Sequence, residues 1–488
     1  MDIPSDIWRC IAGFLPVACI FTLYSVNRTF LEIYLEKKYK AVDLAAYKSA
    51  KALLKHLKDS SYVHSVRVQP WVVIAKEPKA CSWKLLNACV FPTHAFEENT
   101  EAEILKRLRK QTQRIADGIK KLPALQKYHI DWDEGPFQPE FYSALLDVIP
   151  AIGRGLSTLC LKVPLQNMDS LPCLATHLPK LENLMLTIHT DAFIASEICQ
   201  KIVGLVVFVN SGIRTLRSLS ISTTPTSMYL DLGPFFDHLG RGKRLTSFTL
   251  CIPFDGGHLA DPGPLRRFLM NHRATLRSIT LGTMRAAAHP APGASTAKFW
   301  IRDTFKNHPS LPALEQVSLS LRPLRTDLSP LVQGLASLRS QLRVLKLSER
   351  PLECAELVRL LGVLGDAPLL RVLSLRIRWL SPEVVDLLAV GLPALSALDL
   401  HFTEVVHQES ASDVASVRSE DSYGLSRQSE LMLFCQALQG KRYAHWNLTR
   451  LAVPENPHGQ MRWLDAMERV FVGCIPGLTS FGELVSTV

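Results

Sequence analysis

The chain has 488 residues, of which 47% are hydrophobic and 20% are charged, and its formal net charge is +10. This composition is typical of a globular protein and excludes an intrinsically disordered chain. Its longest apolar run, residues 202–209, is far shorter than the about 20 residues that a membrane-spanning helix needs. The first residues lack the features of a secretory signal. The eleven cysteines are scattered singly, so we expect reduced thiols and a cytoplasmic or nuclear protein.

Residues 1–44 predict three short helices. Pro4 and Asp6 stand where a helix begins, and Ile7, Ile11 and Phe14 then mark one helical stripe. Two further apolar helices are predicted at about 17–24 and 26–38. A bundle of this size cannot bury all of its apolar side chains, so part of its surface is expected to seal the next segment or to bind a partner.

The order of residues in this segment resembles an F-box. The chain reads Ile3-Pro4-x-Asp6-Ile7, then Ile11, Leu15-Pro16 and Ile20-x-x-Leu23-x-x-Val26-Asn27-Arg28-x-Phe30. The family usually reads Leu-Pro-x-Glu-Ile, Ile, Leu-Pro and Leu-x-x-Leu-x-x-Val-Cys-Lys/Arg-x-Phe. The chain departs from that pattern at Ile3, Asp6 and Asn27.

Asn27 resembles a variant that is common in fungal members of the family. The resemblance implies a substrate receptor of a cullin-RING ubiquitin ligase. In that family the F-box binds a Skp adaptor, which links it to a cullin. Some of the matching positions must instead lie in the core of the three helices. The positions that the resemblance implies for adaptor binding are Ile3, Pro4, Ile7, Ile11, Leu15, Leu23, Val26 and Phe30.

Residues 45–124 are predicted to join this segment to a repeat region. A valine-rich stretch at 63–68 predicts the first strand of the following sheet. A cluster of lysines and arginines at 106–121 fits either the solvent-exposed face of a helix, with Ile115 and Ile119 buried, or a nucleic-acid surface. No aromatic residues alternate with these charges, which argues against base stacking.

From residue 125 onward the phrase L-x-x-L-x-L recurs, with clean copies starting at Leu342, Leu370 and Leu395. Looser copies start at Leu125, Leu156, Leu181, Leu216, Leu245, Leu276, Leu314 and Leu448. Successive starts lie 25 to 38 residues apart, except for one gap of 53. The fourth and sixth positions alternate as in a strand, and helical patterns lie between the copies.

This period predicts an α/β fold: an irregular solenoid of the leucine-rich-repeat type over residues 125–488, with parallel strands on the concave face and helices on the convex face. The alternative is an ordinary α/β domain with leucine-rich strands. The asparagine that usually follows each copy is replaced at six positions and fits only at Asn456, so we expect an irregular solenoid. A segment rich in serine and acidic residues, 403–430, predicts a disordered insert. The replaced asparagine positions hold Pro164, His189, Thr224, Arg322, Arg350 and Arg378.

No phosphate loop, nucleophile motif or metal-ligand spacing occurs, so we expect no enzyme activity, no metal and no cofactor. Binding is expected on the concave face, whose column of outward strand residues becomes basic only late in the chain. Arginine and lysine favour acidic or phosphorylated partners. The predicted substrate-binding residues are Lys346, Arg376, Arg378, Asp399 and His401.

The leading interpretation is a substrate-recognition subunit of an SCF-type ubiquitin ligase, with the F-box on the Skp adaptor and the solenoid on the target protein. Two alternatives remain open: a leucine-rich-repeat scaffold with no ligase role, and a basic scaffold associated with nucleic acid. A membrane partner is not expected.

Overall fold

A computed structural model gives the fold. It describes residues 3–44, 47–56, 61–69, 106, 109–131, 139–190, 195–224, 227, 230–253, 258–284, 311–322, 328–407, 423–453 and 461–482. Two compact units divide the chain, Met1–Ser222 and Thr223–Val488. No helix in the described ranges is long and apolar enough to cross a membrane.

The first unit opens with three helices, α1 (Ser5–Gly13), α2 (Val17–Thr22) and α3 (Arg28–Tyr39). Its strands are β1 (Ala41–Leu44), β2 (Ser65–Val68), β3 (Lys127–Ile130), β4 (Thr158–Pro164), β5 (Asn183–His189) and β6 (Ser218–Thr223). The helices between the strands are α4 (Tyr47–His56), α5 (Pro139–Leu146), α6 (Ile149–Ile152), α7 (Leu171–Ala175) and α8 (Ala195–Gly212). Residues 109–119 are also helical.

The second unit continues the same alternation. Its strands are β7 (Ser247–Pro253), β8 (Ser278–Met284), β9 (Gln316–Ser320), β10 (Val344–Ser348), β11 (Val372–Leu380), β12 (Ala397–Val405), β13 (Arg450–Ala452) and β14 (Ser480–Phe481). Its helices are α9 (Gly233–His238), α10 (Gly263–Asn271), α11 (Ser329–Leu338), α12 (Cys354–Leu364), α13 (Pro382–Gly391), α14 (Tyr423–Leu438) and α15 (Met461–Cys474).

In each unit the strands are parallel and follow the order of the chain. Parallel strands need a crossover between them, which the intervening helices supply. This alternation of parallel strands and helices is the predicted α/β architecture, and it is compatible with a solenoid of the leucine-rich-repeat type.

Each predicted copy of the leucine phrase is followed by a strand that begins two residues after its first leucine. In the copy that starts at Leu342 and contains β10, the first, fourth and sixth positions of the phrase, Leu342, Leu345 and Leu347, are buried. Lys346, between the last two, is exposed. The period of two therefore separates a leucine core from a polar strand face, as the alternation predicted.

Backbone hydrogen bonds join successive turns at the start of each strand. The amides of Arg343 and Val344 both donate to the Glu315 carbonyl, at 2.8 and 3.1 Å. The amides of Arg371 and Val372 donate in the same way to the Arg343 carbonyl, at 2.9 and 3.1 Å. This repeated pair connects successive turns.

Strand β1 lies inside the segment predicted as the F-box, residues 1–44. Only Lys40 separates it from α3, and the Lys40 carbonyl accepts from the amides of His64 and Ser65 at 3.0 and 2.9 Å. The valine-rich stretch at 63–68 does contain a strand, β2, but it is the second strand and not the first. The order Tyr39-x-x-Val42-x-Leu44 repeats the leucine phrase with tyrosine in its first position.

The predicted disordered insert, 403–430, is too long at both ends. Strand β12 extends to Val405 because it pairs with β11 as far as Leu380. Helix α14 begins at Tyr423, and the amide of His407 donates to Glu430 Oε2 at 2.9 Å, so the two ends of the segment are in contact. Residues 408–422 lie outside the described part of the chain.

A buried histidine, His272, follows α10 in the second unit. Its Nδ1 lies 2.8 Å from the Phe268 carbonyl oxygen, and its Nε2 accepts from the Gly242 amide at 2.8 Å. These two partners require a neutral imidazole with its proton on Nδ1. Burial lowers the pKa of His272 below its usual value, in agreement with a neutral imidazole.

Candidate functional site

The three N-terminal helices have a small core of their own. Ala12, Ile20, Phe30 and Ile33 are buried in it. Three partly buried residues complete it, and the rings of Trp8 and Phe30 lie 5.5 Å apart. The partly buried residues are Trp8, Leu15 and Leu23.

Helix α3 begins at a capping residue that departs from the family pattern. Asn27 has an extended backbone, and its Oδ1 accepts from the Phe30 amide at 2.9 Å. Asparagine is among the best N-cap residues because its side chain satisfies one of the unpaired amides of the first turn. The replacement of cysteine by Asn27 therefore fixes the start of the helix that carries Phe30 into the core.

Many apolar side chains of these helices remain in solvent, and together they are called the helical apolar face. Phe14 is 89% exposed, and Ile7 and Ile11 of the same sequence stripe are also exposed. Soluble monomers seldom expose so many large apolar side chains in one small segment. The face consists of Ile3, Ile7, Ile11, Phe14, Val17, Phe21, Tyr24, Val26 and Leu31.

The structure sorts the eight residues that the resemblance assigns to adaptor binding. Phe30 is only 2% exposed and belongs to the helical core, so it is one of the matching positions that lie inside the three helices. Leu15 and Leu23 are half-buried against the same core. The exposed members are Ile3, Pro4, Ile7, Ile11 and Val26. The prediction missed Phe14, Val17, Phe21, Tyr24 and Leu31, which belong to the same face.

The predicted substrate-binding residues lie on three neighbouring strands of the second unit. Lys346 of β10 is in register with Ser374 of β11, and Ser374 with Asp399 of β12. Two residues further along the same strands, Arg376 of β11 is in register with His401 of β12. The strand register therefore brings four of the five predicted residues onto one strand face.

Hydrogen bonds organise the carboxylate at the centre of this face. The Ser374 hydroxyl donates to Asp399 Oδ2 at 2.8 Å, and His401 Nε2 lies 3.2 Å from Asp399 Oδ1. In contrast, Lys346 and Arg376 are exposed, and neither has an ion-pair partner among the residues that the structure describes. These two cations are therefore available to an anionic partner.

Arg378, the fifth predicted residue, is engaged within the chain. Its guanidinium lies 4.3 Å from the centre of the Trp379 ring, and its NH1 donates to Glu353 Oε1 at 3.1 Å. It therefore differs from Arg376, although both are exposed residues of β11.

The basic segment at 106–121 is in part an amphipathic helix. Ile115 and Ile119 are buried, as predicted, while Arg109 and Lys110 are exposed. Arg107 lies outside the described residues. This arrangement is that of a helix packed by its apolar side, and the lysines and arginines form its solvent side.

No protein-family model matches the chain, and no curated protein matches it. The resemblance to an F-box therefore depends on the residues between Ile3 and Phe30.

Proposed function

We propose that this chain is a non-catalytic substrate-recognition subunit of an SCF-type ubiquitin ligase. Its N-terminal helices would bind a Skp adaptor, and through it a cullin, while its strand face would bind the target protein. The observation that supports this proposal best is the helical apolar face, whose large side chains stay exposed although the three helices have a core of their own.

The energetics of the helical apolar face favour a protein partner. Full burial of one aliphatic or aromatic side chain contributes about 1.5–3 kcal/mol. A few such residues at the centre of an interface usually provide most of the binding free energy. Ile7, on α1 between Ile3 and Ile11, is the member of the face that we expect to matter most.

The test is binding of the full-length chain to a purified Skp adaptor, with Ile7→Asp as the variant. A carboxylate buried in an apolar interface without a partner is unfavourable by several kcal/mol. Because about 1.4 kcal/mol is a factor of ten, we expect the Kd to rise by about a hundredfold or more. Unchanged binding of Ile7→Asp would contradict the proposal.

Val358→Asp is the matched control. Val358 is 47% exposed and Ile7 is 51% exposed, and both are aliphatic residues of a helix. Val358 lies on α12 in the second unit, so the same chemical change leaves the proposed interface intact. We expect wild-type affinity for this variant. Equal losses in both variants would indicate a general effect of the added charge.

The strand face around Lys346 and Arg376 would bind an anionic segment of the target, beside His401. The test is a peptide array of acidic and phosphoserine-containing sequences, probed with wild type and with Lys346→Glu/Arg376→Glu. Arg359→Glu, an exposed arginine of α12, controls for net charge. Peptides bound equally by the double variant and by wild type would refute this part of the proposal.

Two other functions remain possible outcomes. If the wild-type chain does not bind the adaptor, the helices serve only as a cap, and the protein is a repeat scaffold. If it binds nucleic acid with an affinity that falls steeply with salt, the basic segment at 106–121 is the functional surface.

A further inference from the structure

Three potential metal ligands lie side by side on the strand face of the first unit. His129 of β3 is in register with Cys160 of β4, and Cys160 is in register with Met185 of β5. Neighbouring strands are about 4.8 Å apart, and in-register residues point to the same side of a sheet. We call these three residues the His–Cys–Met row.

Two side chains of the row are in contact, and all three are at least partly exposed to solvent. Cys160 Sγ lies 3.4 Å from Met185 Sδ. Met185 is 49% exposed, which is unusual for a large apolar side chain in the middle of a strand. His129 and Cys160 are half-buried, so an ion can approach the row from the open side of the sheet.

The donor atoms of the row are not occupied by strong partners. Within the described ranges His129 makes no hydrogen bond through its imidazole, and its interactions with Arg67, Asp43 and Asp131 are electrostatic. The hydrogen of the Cys160 thiol points to a thioether, which is a weak acceptor. Among the described residues, therefore, no strong hydrogen bond competes with an ion for the imidazole nitrogens or the two sulfurs.

The chemistry of these donors selects one class of metal. Thiolate and thioether sulfurs are soft ligands that favour Cu(I), and imidazole also suits copper. Among the described residues, no group of three or more His, Cys, Asp and Glu side chains is placed to hold a metal ion. The thioether of Met185 completes a set of three ligands that oxygen-preferring ions such as Mg²⁺ or Ca²⁺ would not use.

We infer that His129, Cys160 and Met185 bind a single Cu(I) ion through an imidazole nitrogen, a thiolate and a thioether. This site shares no residue with the two surfaces of the proposed function and does not depend on them. The positive ion and the thiolate neutralise each other, so the bound site carries no net charge.

Binding requires the loss of one proton from Cys160, which the solvent takes up. Burial raises the pKa of the Cys160 thiol to about 11, while the positive charge of Lys127 opposes that rise. Burial lowers the pKa of His129 below its usual value, and the charges of Asp131 and Asp43 oppose that change.

The test is an oxygen-free titration of the full-length chain with Cu(I), in competition with a chromophoric Cu(I) chelator. The chain has eleven cysteines, so thiols outside the row also bind some Cu(I). We expect Cys160→Ser to bind one fewer equivalent of tightly held Cu(I), called the tight equivalent, than wild type. Met185→Leu, which preserves the apolar volume, is expected to lower the affinity of that equivalent about tenfold or more.

Two matched variants control for the background. Cys251→Ser removes a half-buried strand cysteine that lies opposite Gly282, not beside a methionine. Met432→Leu removes an exposed methionine of α14. Both are expected to keep the tight equivalent.

The inference is overturned if Cys160→Ser retains the tight equivalent, or if Met185→Leu binds it with wild-type affinity. A zinc ion bound equally by wild type and Met185→Leu, in place of Cu(I), would also overturn it, because zinc rarely uses a thioether. If Cys160→Ser does not fold, Met185→Leu decides the question alone.

Discussion

Asn27 offers a direct test of how the N-terminal helices are built. Its Oδ1 accepts from the Phe30 amide at 2.9 Å, and Asn27→Ala removes that acceptor while leaving the backbone intact. Loss of an N-cap side chain destabilises a helix by about 1 kcal/mol. A change of this size raises the population of the locally open state about fivefold.

The measurement is native-state hydrogen exchange of the α3 amides. We expect Asn27→Ala to exchange about fivefold faster at Phe30 and along the first turn of α3, because these amides open locally. Asn27→Asp is the control, since aspartate caps as well as asparagine and its charge is favourable at a helix N-terminus. Unchanged exchange at Phe30 in Asn27→Ala would refute the capping argument, and so would equal acceleration in Asn27→Asp.

Two further predictions concern the rest of the chain. Because burial lowers the pKa of His272, its contribution to stability should be complete above about pH 6.5, the unperturbed pKa of histidine. That contribution should be lost as the pH falls through the lowered pKa. Urea unfolding at several pH values should show this loss in wild type but not in His272→Gln. Gly204→Ala places a methyl group 2.9 Å from the Met168 carbonyl oxygen and should destabilise the first unit by about 1–3 kcal/mol. Gly362→Ala, in α12 with nothing within 4 Å, should instead stabilise the second unit by about 0.5–1 kcal/mol. The urea midpoint of unfolding should therefore fall in the first variant and rise in the second.

The strands were predictable because their signal is local. In Leu370-Arg371-Val372-Leu373-Ser374-Leu375 the alternation of buried and exposed positions is complete within six residues, and β11 begins where the phrase predicts. Strand β1 was missed for an equally local reason. Tyr39 takes the place of the first leucine and also ends α3, so neither a turn signal nor a leucine marks the start of β1.

The division of the helical residues between core and surface was not predictable in this way. Periodicity places Ile7, Ile11 and Phe14 in one stripe, but that stripe is exposed, and Trp8 and Ala12 are the α1 residues that belong to the core. Phe30 points inward because α3 packs against α1. Which side of a short helix is buried depends on how the helices cross, and a single helical pattern does not contain that information.

The His–Cys–Met row shows a second limit of the sequence. His129, Cys160 and Met185 are 31 and 25 residues apart, far beyond the spacing of a local metal motif. Their proximity depends on the pairing of β3 with β4 and of β4 with β5. Predicting the row requires the register between β3, β4 and β5. The leucine phrases give that register only if they are assumed to pair position by position in neighbouring strands.

The direct passage from α3 into β1 has a mechanical consequence. With Lys40 as the only residue between them, and with its carbonyl engaged by the next strand, the helices have no tether on which to swivel. A short connection of this kind limits how far the helices can turn relative to β1. The orientation of a partner bound to the helical apolar face is therefore coupled to the pairing of β1 with β2.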